Sequence, residues 1–289
     1  MSCTLVNKVS IIKIKPRKMI LRKNKLFSSI FERITEEESR SSESTNASEF
    51  DRCLTDPIIH NDDTFSELTS SQEKTFTDFV ELVREEYLTL GYLPEVVKKE
   101  CLSNSNLLRF MKARNFKIDA AFEMWRSWVE WRSEFRPDLI RKTDVKHLPL
   151  YAYFKVHKQD KDGNPLVVMA PGSCEEELDI EDCKKVCIYL IEKATKKSSK
   201  VADGKISVIF DRLNMTQAKD KKWLPIYKMM SQILQDYYPE TLKTAFVVNA
   251  NWFTKIIISM VKTFMAKNTK DKIITIKGMD QLYDHFDHD

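Results

Sequence analysis

The first strongly periodic segment of the chain lies between about Thr75 and Gly91. Its apolar residues recur every three or four positions, and this spacing places them on one face of an α-helix. Gly91 follows as a residue that commonly ends helices. The segment is therefore predicted to be an amphipathic helix. The residues predicted for its buried face are Phe76, Phe79, Val80, Val83 and Tyr87.

Two further helices are predicted after this one, over LLRFMKARNF and AAFEMWRSWVEWRSEF. In the second of them, Ala121, Trp125, Trp128 and Arg132 share a face. The three tryptophans of this helix could stack on nucleic-acid bases, but such surfaces carry more interleaved basic residues than this helix has. We therefore interpret them as core residues and expect no nucleic-acid partner.

From about Tyr151 the pattern changes to short apolar runs that alternate with helical segments. YAYFKVH and PLVVMAP flank the turn sequence DKDGN, which predicts a β-hairpin. ISVIF and AFVV are nearly continuous in apolar residues and are each followed by a helical segment, which is typical of parallel strands buried on both faces. The predicted fold class is α/β, with a helical N-terminal part before a mixed, largely parallel sheet that is flanked by helices.

The helix predicted from about Trp252 to Ala266 is unusually apolar. Its apolar surface must be covered by protein, by another chain or by lipid. Spacing alone favours a core helix, but Met, Ile and Phe side chains would equally suit the wall of an acyl-chain pocket. The residues that define the apolar face are Phe253, Ile256, Ile257, Met260, Val261 and Phe264, and Ile258 and Met265 widen it.

Charge divides the chain into parts. Residues 1–34 contain nine Lys and Arg against one acid, and residues 35–72 contain ten acids against two arginines. We predict a basic tail followed by an acidic, Ser-rich disordered linker. The tail could also be a targeting peptide or a tether to anionic membranes, but a solvated tail is the simplest interpretation. Residues 73–142 are then the predicted helical subdomain and residues 143–289 the predicted α/β domain.

Composition excludes several classes of enzyme. The five glycines are not clustered, so the chain cannot build the phosphate-binding loops of Rossmann dehydrogenases, P-loop NTPases or protein kinases. G-x-S-x-G and H-E-x-x-H motifs are absent from the sequence. We expect no catalytic residues, no metal and no cofactor. The six cysteines form no C-x-x-C pair and are predicted to be reduced thiols, which favours the cytosol. We also expect neither a membrane-spanning segment nor a secretory signal.

Three long stretches of the sequence resemble one known family. QDYYPETLKTAFVVNANWFTKIIISMVKTFMAKNTKDKI is similar to the core of the CRAL-TRIO lipid-binding domain of phosphatidylinositol-transfer proteins. LLRFMKARNFKIDAAFEMWRSWVEWR resembles the preceding helical part, and KDGNPLVVM resembles the first hairpin. The matches keep the family's order from about Thr75 to the C-terminus. The resemblance implies a fold that encloses one lipid, and it makes the apolar helix the mobile gate that opens at a membrane.

The resemblance also implies a site for the lipid headgroup. In the members that bind phosphatidylinositol, the arginine of an ARK-F motif, a Glu after YYP, and a Thr and a Lys past the gate helix hold the inositol phosphate. These positions fall on Arg114, Glu240, Thr269 and Lys272. Taken singly, each of the four could have an ordinary structural role, but together they favour a headgroup site, since cations neutralise a phosphodiester. The lysine of ARK-F is replaced by Asn115, which removes one positive charge.

At the positions that bind a choline lipid in some relatives, this chain has different residues. Relatives that also exchange phosphatidylcholine use two tyrosines on the first hairpin, and a Ser and a Thr on a central strand. These positions fall on Val156, Val167, Ile206 and Val208. None of these side chains forms hydrogen bonds, and none offers an aromatic face to a quaternary ammonium group. Recognition of phosphatidylcholine by this set is therefore not predicted.

These features predict an intracellular, non-enzymatic lipid-transfer protein. We expect it to carry phosphatidylinositol between membranes or to present it to lipid kinases. The expected partners are a phospholipid ligand, a transient membrane surface and lipid kinases, and the expected state is a cytoplasmic monomer that is peripheral on membranes. Two alternatives stay open: a carrier of a non-phospholipid ligand, such as a tocopherol-, retinoid- or squalene-like molecule, and a protein-binding scaffold with a vestigial pocket.

Overall fold

A computed structural model of the chain describes residues 68–91, 93–198, 204–263, 265, 267–276 and 282. The predicted basic tail, most of the predicted acidic linker, and Phe264 of the predicted gate helix lie outside the described residues. The described helices are α1 (Ser70–Thr89), α2 (Glu95–Cys101), α3 (Asn104–Ala113), α4 (Ile118–Phe135), α5 (Lys142–Val145), α6 (Ile180–Ser198), α7 (Gln217–Tyr237), α8 (Trp252–Thr263) and α9 (Lys267–Lys270). The described strands are β1 (Phe154–Gln159), β2 (Pro165–Met169), β3 (Ile206–Asp211), β4 (Leu242–Val248) and β5 (Ile273–Thr275).

Helix α1 begins with a capping box. The Thr69 hydroxyl accepts a hydrogen bond from the Gln72 backbone N–H at 3.3 Å, and the Gln72 side chain accepts one from the Thr69 N–H at 3.0 Å. This exchange satisfies two donors that the first turn would otherwise leave unpaired. The predicted apolar face is confirmed, because its first four residues are buried and Tyr87 packs against the same cluster.

Helix α4 joins the helical part to the rest of the fold. Its predicted face is confirmed, since Ala121, Trp125, Trp128 and Arg132 are all buried. The Trp125 indole N–H donates to the Cys101 carbonyl at 2.9 Å, so this polar atom is satisfied inside the core. The tryptophans of α4 are packing residues, as the sequence predicts.

The five strands form one sheet in the order β1-β2-β3-β4-β5. β1 and β2 pair antiparallel, and the other three pairs are parallel, which confirms the predicted mixed, largely parallel sheet. The hairpin turn is built around Asp160, whose carboxylate accepts hydrogen bonds from the backbone N–H groups of Asp162 and Asn164. Gly163 in this turn has φ +81°, a value that glycine adopts without strain.

Apolar side chains are buried on both faces of the sheet, as predicted. One face packs with α6, α7 and α8 into a cluster that includes Val167, Met169 and Ile206. The other face carries Leu166, Ile209, Phe246 and Val248. Because β-strand side chains alternate between faces, this split follows from the strand sequences themselves.

The four described cysteines are free thiols in buried positions. Burial raises the pKa of Cys174 to about 11 and that of Cys183 to about 12, so both stay protonated at neutral pH. In the described part of the chain, no group of three or more His, Cys, Asp or Glu residues could hold a metal ion. Likewise, none of the described helices is both long and apolar enough to cross a bilayer.

Candidate ligand-binding site

The floor of one cavity consists of two neighbouring rows of side chains on the sheet. In one row, Val208, Ala245 and Ile273 lie in register on β3, β4 and β5. The next row contains Met169, Phe210 and Val247, in register on β2, β3 and β4. All six residues line the cavity, because residues two positions apart on a strand point to the same face.

Helices α7 and α8 form the other walls of this cavity, which has a volume of about 150 Å³. Apart from Arg212, Tyr227, Ser231 and Thr254, its lining is apolar. The lining residues from the helices and from the segment after α8 are Tyr227, Met230, Ser231, Leu234, Thr254, Ile257, Ile258, Val261 and Met265. We call this space the apolar cavity.

Helix α8 is apolar on both its inner and its outer side. Ile257 is buried, and Phe253 and Val261 pack against the same core. In contrast, Ile256 is 45% exposed and Met260 is 44% exposed, although helical spacing predicts one covered face. Trp252 at the start of the helix is 72% exposed. Ile256 and Met260 are thus not covered by this chain itself, and these side chains leave an apolar strip on the surface that another chain or lipid is predicted to cover.

The start of α8 is held by a reciprocal cap. The Asn251 side chain accepts a hydrogen bond from the Thr254 N–H at 2.8 Å, and the Thr254 hydroxyl accepts one from the Asn251 N–H at 3.1 Å. Thr254 is buried. Since the fully buried residues of α8 are confined to its first half, the helix is anchored more firmly at its start than at its end.

The four residues predicted for a headgroup site line a second cavity, of about 50 Å³, which we call the polar cavity. Arg114 ends α3, Thr269 lies on α9, and Lys272 directly precedes β5. Glu240 follows α7 in the left-handed region, at φ +51°, and this turn brings its side chain to the cavity. Four residues that are distant in sequence are thus brought together around one small space.

An ion pair lies within the polar cavity. The Lys272 ammonium donates to the Glu240 carboxylate at 3.1 Å, and both side chains are 23% exposed. The Arg114 guanidinium donates to its neighbouring carbonyl, that of Ala113, at 3.3 Å. Two cations and one carboxylate therefore face the same space and leave one positive charge in excess.

Arg109 fixes the backbone next to this cavity. Its guanidinium donates to the Thr241 hydroxyl at 3.1 Å and to the Gly204 carbonyl at 2.6 Å. Burial lowers the pKa of Arg109, and the charge of Glu240 partly opposes this shift. Arg109 thus holds the segment that carries Glu240, a role that the sequence did not predict because its partners lie far away along the chain.

The two cavities adjoin each other. Ser231, Leu234 and Met265 line both of them, so these three side chains lie at the boundary between the polar cavity and the apolar one. Asn115, which replaces the lysine of the ARK-F motif, is exposed and lines neither cavity. Its φ of +52° is a conformation that asparagine adopts more readily than most residues.

The four positions implied for a choline lipid lie on the sheet. Val156, Val167 and Val208 are in register across β1, β2 and β3. Val208 is part of the cavity floor, and Ile206 is buried in the adjoining core. This part of the floor therefore offers no hydrogen-bonding side chain.

Comparison with known proteins identifies relatives of this chain. The model of the CRAL/TRIO domain matches residues 151–289, which confirms the resemblance to the CRAL-TRIO lipid-binding domain for that part of the chain. Patellin-3 of Arabidopsis thaliana is 27% identical over 72% of this chain and 47% of its own length. The Sec14 cytosolic factor of Schizosaccharomyces pombe is 29% identical over 71% of this chain and 74% of its own length.

A solved structure shares the fold. The crystal structure of Sfh5 matches with a TM-score of 0.63 and 20% identity, over 75% of this chain and 83% of that chain. This likeness confirms the predicted fold class. The chain spans about half the length, or less, of several curated relatives, including Patellin-3 and Patellin-6.

Proposed function

We propose that the protein binds phosphatidylinositol and transfers it between membranes without covalent chemistry. The observation that carries this proposal is that the two cavities are neighbours and share Ser231, Leu234 and Met265 in their linings. An apolar chamber beside a small chamber lined by charged side chains matches the two halves of an anionic phospholipid. The relationship to the CRAL/TRIO domain and to a Sec14 cytosolic factor supports the same function.

The charge of the polar cavity fits one phosphodiester. Arg114 and Lys272 supply two positive charges and Glu240 supplies one negative charge, so a single anionic group restores neutrality. The phosphate would accept hydrogen bonds from the two cations, while Thr269 and Glu240 would bind inositol hydroxyls. Because Lys272 is paired with Glu240 in this structure, binding exchanges that ion pair for contacts with the ligand.

Uptake of a whole lipid requires α8 to move. A cavity of about 150 Å³ holds roughly one benzene-sized molecule, far less than two acyl chains. We infer that α8 swings outward at a membrane, and that Trp252, Ile256 and Met260 enter the interfacial region of the bilayer as it does so. Lys255, which is exposed on the same helix, would favour an anionic membrane surface.

The related proposals on partners follow from this mechanism. A carrier that opens at membranes needs only transient contact with them and can present its lipid to a kinase. The basic residues 1–34 would lengthen contact with an anionic surface. A carrier of a non-phospholipid ligand is the second candidate, and the neutral, apolar floor of the apolar cavity favours it.

Native mass spectrometry with lipid extraction tests the proposal. The full chain would be purified from a eukaryotic host beside Lys272→Ala and, as a matched control, Lys270→Ala, whose lysine lies on α9 but does not line the polar cavity. We expect phosphatidylinositol in the wild type and in Lys270→Ala, and its loss in Lys272→Ala. A different apolar ligand that survives in all three proteins would support the second candidate, and empty protein throughout would support a scaffold.

A further inference from the structure

One face of helix α7 lines the two cavities in turn. Tyr227 lines the apolar cavity, Ser231 and Leu234 line both cavities, and Tyr238, just after the helix, lines the polar cavity. These positions are four, three and four residues apart, a spacing that keeps them on one side of a helix. With a rise of about 1.5 Å per residue, Ser231 lies about 6 Å beyond Tyr227 along the helix axis and about 10 Å before Tyr238. Ser231 is therefore located where the apolar cavity ends and the polar cavity begins.

The hydroxyl of Ser231 is an unused hydrogen-bonding group. The residue is only 5% exposed, and among the described residues its hydroxyl has no hydrogen-bond partner, although serines inside helices often donate to the carbonyl four residues earlier. The oxygen is not sealed inside the protein, because the enclosed side-chain atoms without a partner are Asn164 Oδ1 and Arg212 Nε. Since the wall of the apolar cavity presents almost no polar surface, the accessible side of the hydroxyl faces the polar cavity.

The boundary between the cavities is where a diacyl lipid would have its glycerol ester groups. With the phosphate in the polar cavity and the acyl chains in the apolar one, the two ester carbonyls lie between them. Each carbonyl gives up water on entering the protein, and an acceptor that is left unpaired there is costly. Of the three residues that line both cavities, Leu234 and Met265 offer no donor. Ser231 is thus the donor that this part of the site supplies.

We propose that the Ser231 hydroxyl donates to an ester carbonyl of the bound lipid, and that the protein therefore selects lipids with acyl ester chains over lipids with alkyl ether chains. An ether lipid has a methylene group in place of each carbonyl, so it leaves the Ser231 hydroxyl unpaired in an enclosed site. One neutral hydrogen bond of this kind changes affinity by about three- to tenfold. The inference rests on the proposed function and adds to it the linkage class of the ligand and the residue that recognises it.

Two short-chain analogues of phosphatidylinositol test this inference. Dioctanoyl phosphatidylinositol has ester linkages, and its dioctyl ether analogue has the same headgroup and chain length but no carbonyls. Calorimetry would measure the binding of each to the delipidated full chain, as wild type, as Ser231→Ala and, for a matched control, as Ser198→Ala, whose hydroxyl is similarly buried but lines neither cavity. We expect the ratio of ester to ether affinity to fall by about three- to tenfold in Ser231→Ala and to stay at the wild-type value in Ser198→Ala. A change in packing would affect both analogues alike, so the ratio isolates the hydrogen bond.

The carbonyl itself gives a second readout. A hydrogen bond lowers the stretching frequency of an ester carbonyl, so the infrared spectrum of bound lipid that carries ¹³C at its ester carbonyls should contain a low-frequency band in the wild type and lose it in Ser231→Ala. The same affinity ratio in wild type and Ser231→Ala, or the same carbonyl band in both, would overturn this inference and leave the proposed function intact. Binding of neither analogue to the wild type would overturn both, so the two failures can be told apart.

Discussion

The Tyr238 hydroxyl donates a hydrogen bond of 2.6 Å to the Glu192 carboxylate, deep between α6 and the end of α7. Glu192 also accepts from Arg132 at 2.7 Å, and Arg132 in turn pairs with Glu100 at 2.5 Å. Since Tyr238 lines the polar cavity, this buried chain of contacts connects α2 and α4 of the helical part to the wall of the candidate headgroup site.

Arg132→Met should strongly destabilise the protein. The change leaves the Glu192 carboxylate buried without its cationic partner, which typically costs about 3–5 kcal/mol. Urea unfolding would measure the loss. The matched control is Arg126→Met on the same helix, whose pair with Glu86 is partly exposed and contributes at most about 1 kcal/mol. Equal losses in both variants would show that the buried network does not stabilise the fold.

Ala245→Leu should block the ligand without unfolding the protein. Ala245 lies in the middle of the cavity floor, so a larger side chain would occupy the space that we propose for the lipid. Filling a cavity commonly raises stability by about 0.5–2 kcal/mol, and we expect a melting temperature that is unchanged or higher. Lipid extraction would show the loss of bound lipid. Thr244→Leu, on the opposite face of β4, should retain it, and bound lipid in both variants would contradict the assignment of the cavity.

Removal of the exposed apolar strip on α8 should slow lipid transfer. Replacement of Trp252, Ile256 and Met260 by serine removes the side chains proposed to enter the bilayer, while the inner side of the helix stays intact. Binding to anionic vesicles should weaken at least tenfold, because insertion of one large apolar side chain contributes about 1.5–3 kcal/mol. Vesicle co-sedimentation and a fluorescence transfer assay measure the effect. Leu88→Ser, at an equally exposed leucine of α1, is the control. Unchanged transfer by the triple variant would rule out α8 as the docking element.

The buried thiols should make stability fall at alkaline pH. Burial raises the pKa of Cys183 from about 9 in the unfolded chain to about 12, so the unfolded state releases this proton first as pH rises. The contribution of Cys183 to stability is therefore complete below about pH 9 and is lost between about pH 9 and about pH 12. Urea unfolding at several pH values should show a shallower decline for Cys183→Ala than for the wild type. Parallel curves would mean that Cys183 titrates normally in the folded protein.

The fold was largely predictable because its signals are local. The period of the apolar residues places the buried face of α1, and the DKDGN turn places the hairpin of β1 and β2. Parallel pairing of the later strands was predicted from runs such as ISVIF and AFVV, which are too apolar for a strand with one solvent-exposed face. The positions of Arg114, Glu240, Thr269 and Lys272 came from family resemblance, and only the folded chain shows that they share a cavity.

Other features depend on contacts that sequence does not reveal. Asp220 lies in the lysine-rich run QAKDKK, which is typical of a solvated helix start, yet it is completely buried because Arg212 reaches it from β3. Arg109 finds its partners 95 and 132 residues away along the chain. Helical spacing placed Ile256 and Met260 on an apolar face, but spacing cannot tell which part of a face is covered.

The position of Met265 has a consequence for the kinetics of ligand exchange. Met265 connects α8 to α9, and it lines both the apolar and the polar cavity. The proposed outward swing of α8 would therefore pull on the short segment that ends at Lys272, so the acyl chains of a bound lipid would not be freed while every headgroup contact stays in place. We expect release of the two halves of the lipid to be a single concerted event, with one barrier rather than two successive ones.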